Sequence, residues 1–253
     1  MANERWGDIK AWGSDTGTPI SLAKRINIVN DMVPIRGLKV LDAGCGGGAF
    51  VERMLELGAD VWGIEFLDEK VAEWHARHPN DDRVRTGDLA NLDFVDGAFD
   101  IIFMNEVLEH TPDDSRVLAE MRRVLKVGGL FFNFTPNRLY PIELHGVIFR
   151  RSGQHVSGLR FPFAPWLPLS ISRRIIEFPA RNYWPRELLR MTREAGFTVL
   201  SQRYVWQTFE GLEGKRHGVK SQICWAARLV AGILEKTFGL KIFGCSQLVI
   251  ARK

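Results

Sequence analysis

The sequence predicts an α/β fold built on a mainly parallel sheet, and three observations carry that prediction. From Leu38 onward, short apolar runs alternate with amphipathic stretches of helical period, the texture of repeated βα units. The first apolar run leads into Gly44-Cys45-Gly46-Gly47-Gly48 and then into a helical pattern, a strand–glycine–helix order that suits ligand binding at a strand end. The chain of 253 residues, 45% hydrophobic and 25% charged, has enough apolar material for one such domain with an elaboration.

The elements follow in order. Residues 1–35 read as an N-terminal helical segment, and 36–253 as the main domain. Strands are expected at 38–44, 60–65, 84–88, 99–105 and 129–135, with helices over 48–58, 68–77 and 115–126 between them. Asp113 and Asp114 offer an N-cap to the last of these helices, and Gly128-Gly129 offer a stop after Lys126. Leu118, Met121, Val124 and Leu125 form its apolar stripe. After Asn137 the texture changes: prolines at 141, 162, 165, 168 and 179 break long helices, so 138–184 reads as a cap inserted after the fifth strand. A helix over 185–197, beginning at Pro185, restores the βα texture. Strands at 197–205 and 247–253 close the chain, separated by a connection with an amphipathic stretch at 221–238.

Composition bounds the class. Cys45, Cys224 and Cys245 stand in no metal-ligand spacing, and an odd count is at home in a reducing compartment. The polar start MANERWGDIK has no apolar signal region, and no apolar run reaches the roughly 18 residues of a membrane span, so a cytoplasmic protein is expected. Residues 1–137 hold 15 basic against 23 acidic residues, a net of −8, whereas 138–253 are net +12. That asymmetry concerns partners: the basic half suits an anionic acceptor or a membrane surface.

The glycine run identifies the ligand by charge. Gly44, Gly46 and Ala49 satisfy the dinucleotide pattern, but Asp42 stands two residues before the first glycine. A pyrophosphate about 4 Å from that carboxylate would be repelled by roughly 4 kcal/mol at an effective dielectric near 20. S-adenosylmethionine (SAM) has no phosphate, and both its sulfonium and its ammonium are cationic, so Asp42 favours it. The run Asp42, Gly44, Cys45 and Gly46 would meet the methionyl part, with glycine allowing close backbone approach. Glu65 ends the second strand, where a carboxylate can accept both ribose hydroxyls. Asp88 ends the third, placed for the adenine amine, with Leu89 and Phe66 as walls for the base.

VLDAGCGGGAF, GIEFLDEKV, GDLANLDF, FDIIFMNEVLEH and LAEMRRVLKVGGLFFNFTPN resemble, in order, the motifs of class I SAM-dependent methyltransferases. Within that superfamily they look most like the ubiquinone- and menaquinone-biosynthesis branch. The resemblance covers 36–137 closely and 185–205 loosely. It implies a Rossmann-like seven-stranded, mainly parallel sheet with a final antiparallel hairpin. It also implies the same cofactor roles for Asp42, Gly44, Gly46, Glu65, Asp88 and Leu89, and puts Asn105 beside the methionyl group.

Methyl transfer is largely an alignment of nucleophile, methyl and sulfur, and a general base helps a hydroxyl acceptor. His110, in NEVLEH, and His145, in PIELHG, are the two candidates, with Glu143 and Asn137 near enough in sequence to orient His145. His75 and His78 read as solvated, and His155 and His217 carry less argument. No metal is expected, because Asp113-Asp114 is explained as a cap. Phe161, Phe163 and Trp166, interleaved with Arg150, Arg151, Arg160, Arg173 and Arg174, fit either a packed cap or a surface for a membrane or a lipid-linked acceptor. The leading expectation is an O-directed methyltransferase acting on a small-molecule, glycan or lipid-linked anionic acceptor, with peripheral contact at the inner face of the membrane as its extension. RNA or other N-directed methylation is disfavoured because NEVLEH replaces the amino-methylating N/D-P-P-aromatic signature, and nucleic acid is not expected as a partner. A non-catalytic SAM binder and a dinucleotide oxidoreductase are the remaining alternatives.

Overall fold

The structure, a computed structural model, describes residues 21–206, 229–237 and 239–253. Residues 229–236 are helical. Of the amphipathic stretch read over 221–238, residues 221–228 and 238 lie outside the described residues, as do residues 1–20, His217 and Cys224. In chain order the elements are α1 (Leu22–Met32), β1 (Lys39–Ala43), α2 (Ala49–Glu56), β2 (Asp60–Glu65), α3 (Asp68–Arg77), β3 (Val84–Thr86), β4 (Phe99–Asn105), α4 (Asp114–Val124) and β5 (Leu125–Pro136). They continue with β6 (Val147–Phe149), β7 (His155–Val156), α5 (Leu169–Ile175), β8 (Ile176–Glu177), α6 (Pro185–Glu194), β9 (Thr198–Val205) and β10 (Ser246–Arg252). Two compact units result. The larger comprises residues 22–135, 186–203 and 248–253; Pro136–Pro185 and the described part of Tyr204–Gln247 belong to the smaller.

The larger unit is organised by a seven-stranded sheet in the order β3-β2-β1-β4-β5-β10-β9, with β3, β2, β1, β4 and β5 parallel. Strand order reverses between β1 and β4, and in open parallel sheets ligands bind at the carboxyl ends beside such a switch point. The central strands are buried on both faces, which explains their continuous apolar runs: Val40, Leu41, Ile101, Ile102, Phe131 and Phe132 are all at most 1% exposed. On α3, Trp74 is fully buried and donates its indole N–H to the Asp81 carbonyl. His78, read as solvated, is partly exposed, with its ring tilted against Trp74 and bonded to Glu52 over 2.9 Å.

Helix α4 begins as expected, with the Asp113 carboxylate accepting from the Arg116 N–H. Its end corrects the sequence reading. The helix stops at Val124, and Leu125 already pairs with Phe99, so Gly128-Gly129 lie within β5 rather than beyond a helix. Two interactions make this possible. Lys253 Nζ reaches the Arg123 and Leu125 carbonyls, doing the work expected of a glycine stop. Gly128, at φ +82°, donates its N–H to the Lys253 carbonyl, and the register of β5 against β4 shifts there.

In the smaller unit three short strands pair antiparallel in the order β7-β6-β8. Their core is Val147, Ala164 and Ile176, against which Phe149, Phe161, Leu167 and Phe178 pack. Phe161 is thus partly buried against this core, whereas Phe163 and Trp166 are exposed. The proline density acts as expected on helix length: the single α-helix of this segment, α5, has seven residues. Phe163 adopts φ +64°, and its N–H donates to the Pro141 carbonyl.

Arg123 latches the end of α4 to the loop before β4. Its guanidinium donates to the Phe94 and Leu92 carbonyls and to the carboxylates of Glu120 and Asp96. Asp96 is largely exposed, so that pair adds little. Replacing Arg123 with Met strands the two carbonyls and is expected to cost about 2 kcal/mol in urea denaturation, whereas Asp96→Asn should cost under about 0.5 kcal/mol.

Candidate active site

Asp42 of β1 and Glu65 of β2 stand on neighbouring strands beside the switch point, whereas Asp88, expected to end the third strand, lies two residues beyond β3, which stops at Thr86 on the sheet edge. Asp42 lies in register with Gly63 of β2 and Phe103 of β4, and Glu65 with Thr86 of β3. Asp42 is 1% exposed, and its Oδ2 has no hydrogen-bond partner among the described residues. Burial, and then the charge of Glu65, push its carboxyl well above the usual carboxylate range. Burial first, and then Asp42 and Glu65, likewise push the Cys45 thiol up. A buried carboxyl that resists ionisation thus sits beside the glycine run.

That run bends around the end of β2. The Gly44 and Cys45 N–H groups both donate to the Ile64 carbonyl, over 2.8 and 3.1 Å. Gly44, at φ +81°, approaches Val107 so closely that a Cβ would lie 2.4 Å from its methyl. Gly46 is the opposite case: it also has positive φ, but nothing lies within 4 Å of where its Cβ would be. The first glycine is needed for packing and the second leaves an open approach to backbone.

Glu65 holds the loop. Oε2 accepts from the Gly46 N–H over 2.8 Å, and Oε1 from the Phe66 and Leu67 N–H groups over 2.9 and 3.1 Å. A carboxylate offers about four acceptor positions, so gripping both hydroxyls of a ribose requires one of these backbone bonds to yield. Asp88 is exposed, and its carboxylate accepts from the Ala90 N–H in a turn. Its neighbour Leu89 is buried and Phe66 is 57% exposed, the one a floor and the other an open ring.

At the end of β4 the structure adds a residue that sequence reasoning missed. Arg25 of α1 is buried, stacks over Phe134, and donates to the Asn105 side-chain oxygen and, over 2.8 Å, to the Glu106 carboxylate. Glu106 sits at φ +54°. Three residues on, burial and then the charge of Glu106 push the buried Glu109 carboxyl well above the usual range. One of three arginines before β1, Arg25 gives no sequence signal of its own; only its position on α1 explains it. His110 lies in a single 3-10 turn, Leu108–His110, and is exposed.

His145 belongs to the smaller unit. Its side chain is 9% exposed, and ring Nδ1 lies 3.3 Å from Oε1 of the fully buried Glu143. Asn137, the other neighbour expected to orient it, instead bonds the Ile242 and Gly244 carbonyls.

Comparison with known proteins agrees with the cofactor end. Residues 41–133 match the family described as a methyltransferase domain. The ubiquinone biosynthesis O-methyltransferase of Thiobacillus denitrificans is 34% identical over 178 residues, 68% of this chain and 69% of that protein. The chain belongs to the SAM-dependent methyltransferases. The Idiomarina loihiensis protein of the same name is 35% identical over 162 residues, 62% of this chain and 60% of that one. A SAM-dependent methyltransferase structure from Mesorhizobium loti shares the fold, with a TM-score of 0.58 at 20% identity, over 89% of this chain and 96% of that one.

SAM is therefore the cofactor of this enzyme, and the residues present suit it. An orphaned, buried carboxylate oxygen beside an open glycine asks for a cation rather than a phosphate. The pKa of Asp42 also yields a testable sign. Because it is raised in the folded protein, its contribution to stability is present below the ordinary carboxylate pKa and lost as pH rises through the folded value. Asp42→Asn is thus expected to raise the thermal midpoint of the cofactor-free protein at neutral pH, with the gain vanishing in acid. In calorimetry the same variant should bind SAM at least about tenfold more weakly, since hydrogen bonds to charged groups contribute about 1.5–3 kcal/mol. A lower midpoint with unchanged affinity would refute the assignment.

Proposed function

We propose that this enzyme transfers the methyl group to a hydroxyl of a small-molecule acceptor, with His145 taking the acceptor proton. The observation that carries the proposal is the largely enclosed His145 ring backed by the buried Glu143 carboxylate. The relatives' printed names, ubiquinone biosynthesis O-methyltransferase, support an oxygen acceptor and a small molecule. When bound, SAM supplies a sulfonium-activated methyl. Around it Asp42 would meet the ammonium and Arg25 the carboxylate of the methionyl part. Gly44, Cys45, Gly46 and Asn105 would line that part, Glu65 would take the ribose, and Asp88, Leu89 and Phe66 the adenine. His110, in its exposed turn, is assigned no proton transfer.

The functional division proposed is a cofactor domain with residues 138–184 as an acceptor-side cap. The test is mass-spectrometric detection of methylated products from a panel of hydroxybenzoates. His145→Ala is expected to lower turnover about 10²-fold with SAM affinity unchanged, and His110→Ala to leave turnover within a few-fold. The reverse pattern would exchange their roles.

A membrane-facing role for the smaller unit rests on a separate observation. Leu159, Phe163, Trp166, Ile171 and Ile175 are between 43% and 54% exposed, and Arg150, Arg151, Arg160, Arg173 and Arg174 among them are exposed too. Such a mixture of apolar and basic groups suits an interface with anionic lipid and a lipid-linked acceptor. No helix of the described residues is long and apolar enough to cross a membrane, so contact would be peripheral. Co-sedimentation should show binding to vesicles of phosphatidylglycerol but not phosphatidylcholine, fading as salt rises. Reversing Arg150, Arg151, Arg173 and Arg174 to Glu should abolish that binding and leave SAM affinity intact. Wild-type protein that ignores both vesicles would leave a water-soluble acceptor.

A further inference from the structure

Glu143 lies fully buried two residues before His145, in the stretch leading into β6. A carboxylate in such a place is costly unless donors reach it, and three do. The His145 backbone N–H donates to Oε1 over 3.1 Å, and ring Nδ1 addresses the same oxygen. From the other side of the small sheet in sequence, Asn182 donates its amide Nδ2 to Oε2. An ionised carboxylate only accepts, so Nδ1 must carry hydrogen, and Nε2 is then the nitrogen of the ring that takes a proton.

The backbone around the pair is pinned. Gly146, at φ +77°, passes so close to β7 that a Cβ would stand 2.6 Å from the Val156 carbonyl oxygen. At Gly158 a Cβ would stand 1.9 Å from the Glu143 carbonyl oxygen. His155 Nε2 lies 2.7 Å from the His145 carbonyl oxygen, a hydrogen bond that ties the loop to β7. These contacts, with the His145 N–H bond, already fasten the loop. The Asn182 and Nδ1 bonds do something else: they set the position of the carboxylate and the orientation and tautomer of the ring.

We infer that Glu143 and Asn182 are positioning residues that hold His145 in its Nδ1–H tautomer, and that the acceptor is correspondingly a hydroxyl compound that must lose its proton as it is methylated. The inference rests on the reading of His145 as the base. An amine attacks with an existing lone pair and sheds its proton to water afterwards, so a carboxylate-backed imidazole gives it no advantage. A neutral hydroxyl is a weak nucleophile until its proton leaves. In the step so served, the acceptor O–H proton passes to His145 Nε2 as the O–CH3 bond forms. The S–CH3 bond breaks with its electron pair left on sulfur, which becomes a neutral thioether. The imidazolium then releases the proton to water, so the products are a methyl ether, the thioether and one proton.

The test separates the two readings. Full-length protein with 15N-labelled histidine rings is examined by NMR, the His145 signals being assigned by their loss in His145→Gln. The neutral ring is expected as the Nδ1–H tautomer in wild type. It should become a mixture in Glu143→Gln and show a smaller change in the same direction in Asn182→Ser, with the circular dichroism of both variants unchanged. Turnover of a hydroxybenzoate panel should fall about 10²-fold in Glu143→Gln and about tenfold in Asn182→Ser, with KM for SAM unchanged. A wild-type Nε2–H tautomer, or one that neither variant alters, overturns the positioning role. If Glu143→Gln does not fold, Asn182→Ser decides the question alone. Should the tautomer respond as expected while His145→Gln turns over like wild type, positioning stands. The base reading, and the hydroxyl acceptor with it, then falls.

Discussion

The cofactor end of the molecule depends on one unbalanced charge. Asp42 brings a carboxylate to the buried end of β1, and the local structure does not neutralise it. The N–H groups of the glycine run that follows it, Gly44, Cys45 and Gly46, are committed to the Ile64 carbonyl and to Glu65. Glu65 itself adds negative charge rather than relieving it. Such an arrangement costs the folded protein stability, and a cationic group bound beside it would offset that cost. The charge also excludes the phosphate-bearing ligands that the glycine pattern alone would admit.

Balance of the opposite kind governs the end of β4. NEVLEH places two carboxyl groups three residues apart in half-buried or buried surroundings, and Arg25 enters from α1 to pair with the first. The helix before β1 is therefore more than a preface to the domain. Its guanidinium is set by the Phe134 ring on one side and by Asn105 and Glu106 on the other. A planar, delocalised guanidinium suits such a half-enclosed place between an aromatic face and two oxygen acceptors.

Much of this was legible in the residues, for physical reasons. Strands buried on both faces write themselves as apolar runs, so β2 and β4 were read with the bounds they have, 60–65 and 99–105. Asp113 signalled the start of α4 through a local hydrogen bond, which a sequence displays directly. The end of α4 was misread because its carbonyls are satisfied by Lys253, more than 120 residues away, and no local rule anticipates that. Arg25 went unseen for the same reason: its partners lie 80 residues distant. Glu143 was visible beside His145, but Asn182 was not, since only the folded segment carries it across 39 residues. Short-range chemistry was legible; long-range closure was not.

Phe163 shows how far the smaller unit departs from that local logic. A left-handed backbone costs a residue with a side chain roughly 1–2 kcal/mol, and glycine would occupy it freely. Here the position holds a phenylalanine whose ring is 54% exposed and 5.1 Å from Trp166, while its N–H is anchored to the Pro141 carbonyl. The backbone kink thus fixes the direction in which an aromatic ring leaves the surface. A ring carried on a rigid pedestal loses little freedom on meeting an apolar partner, so its contact begins with most of the ordering already done.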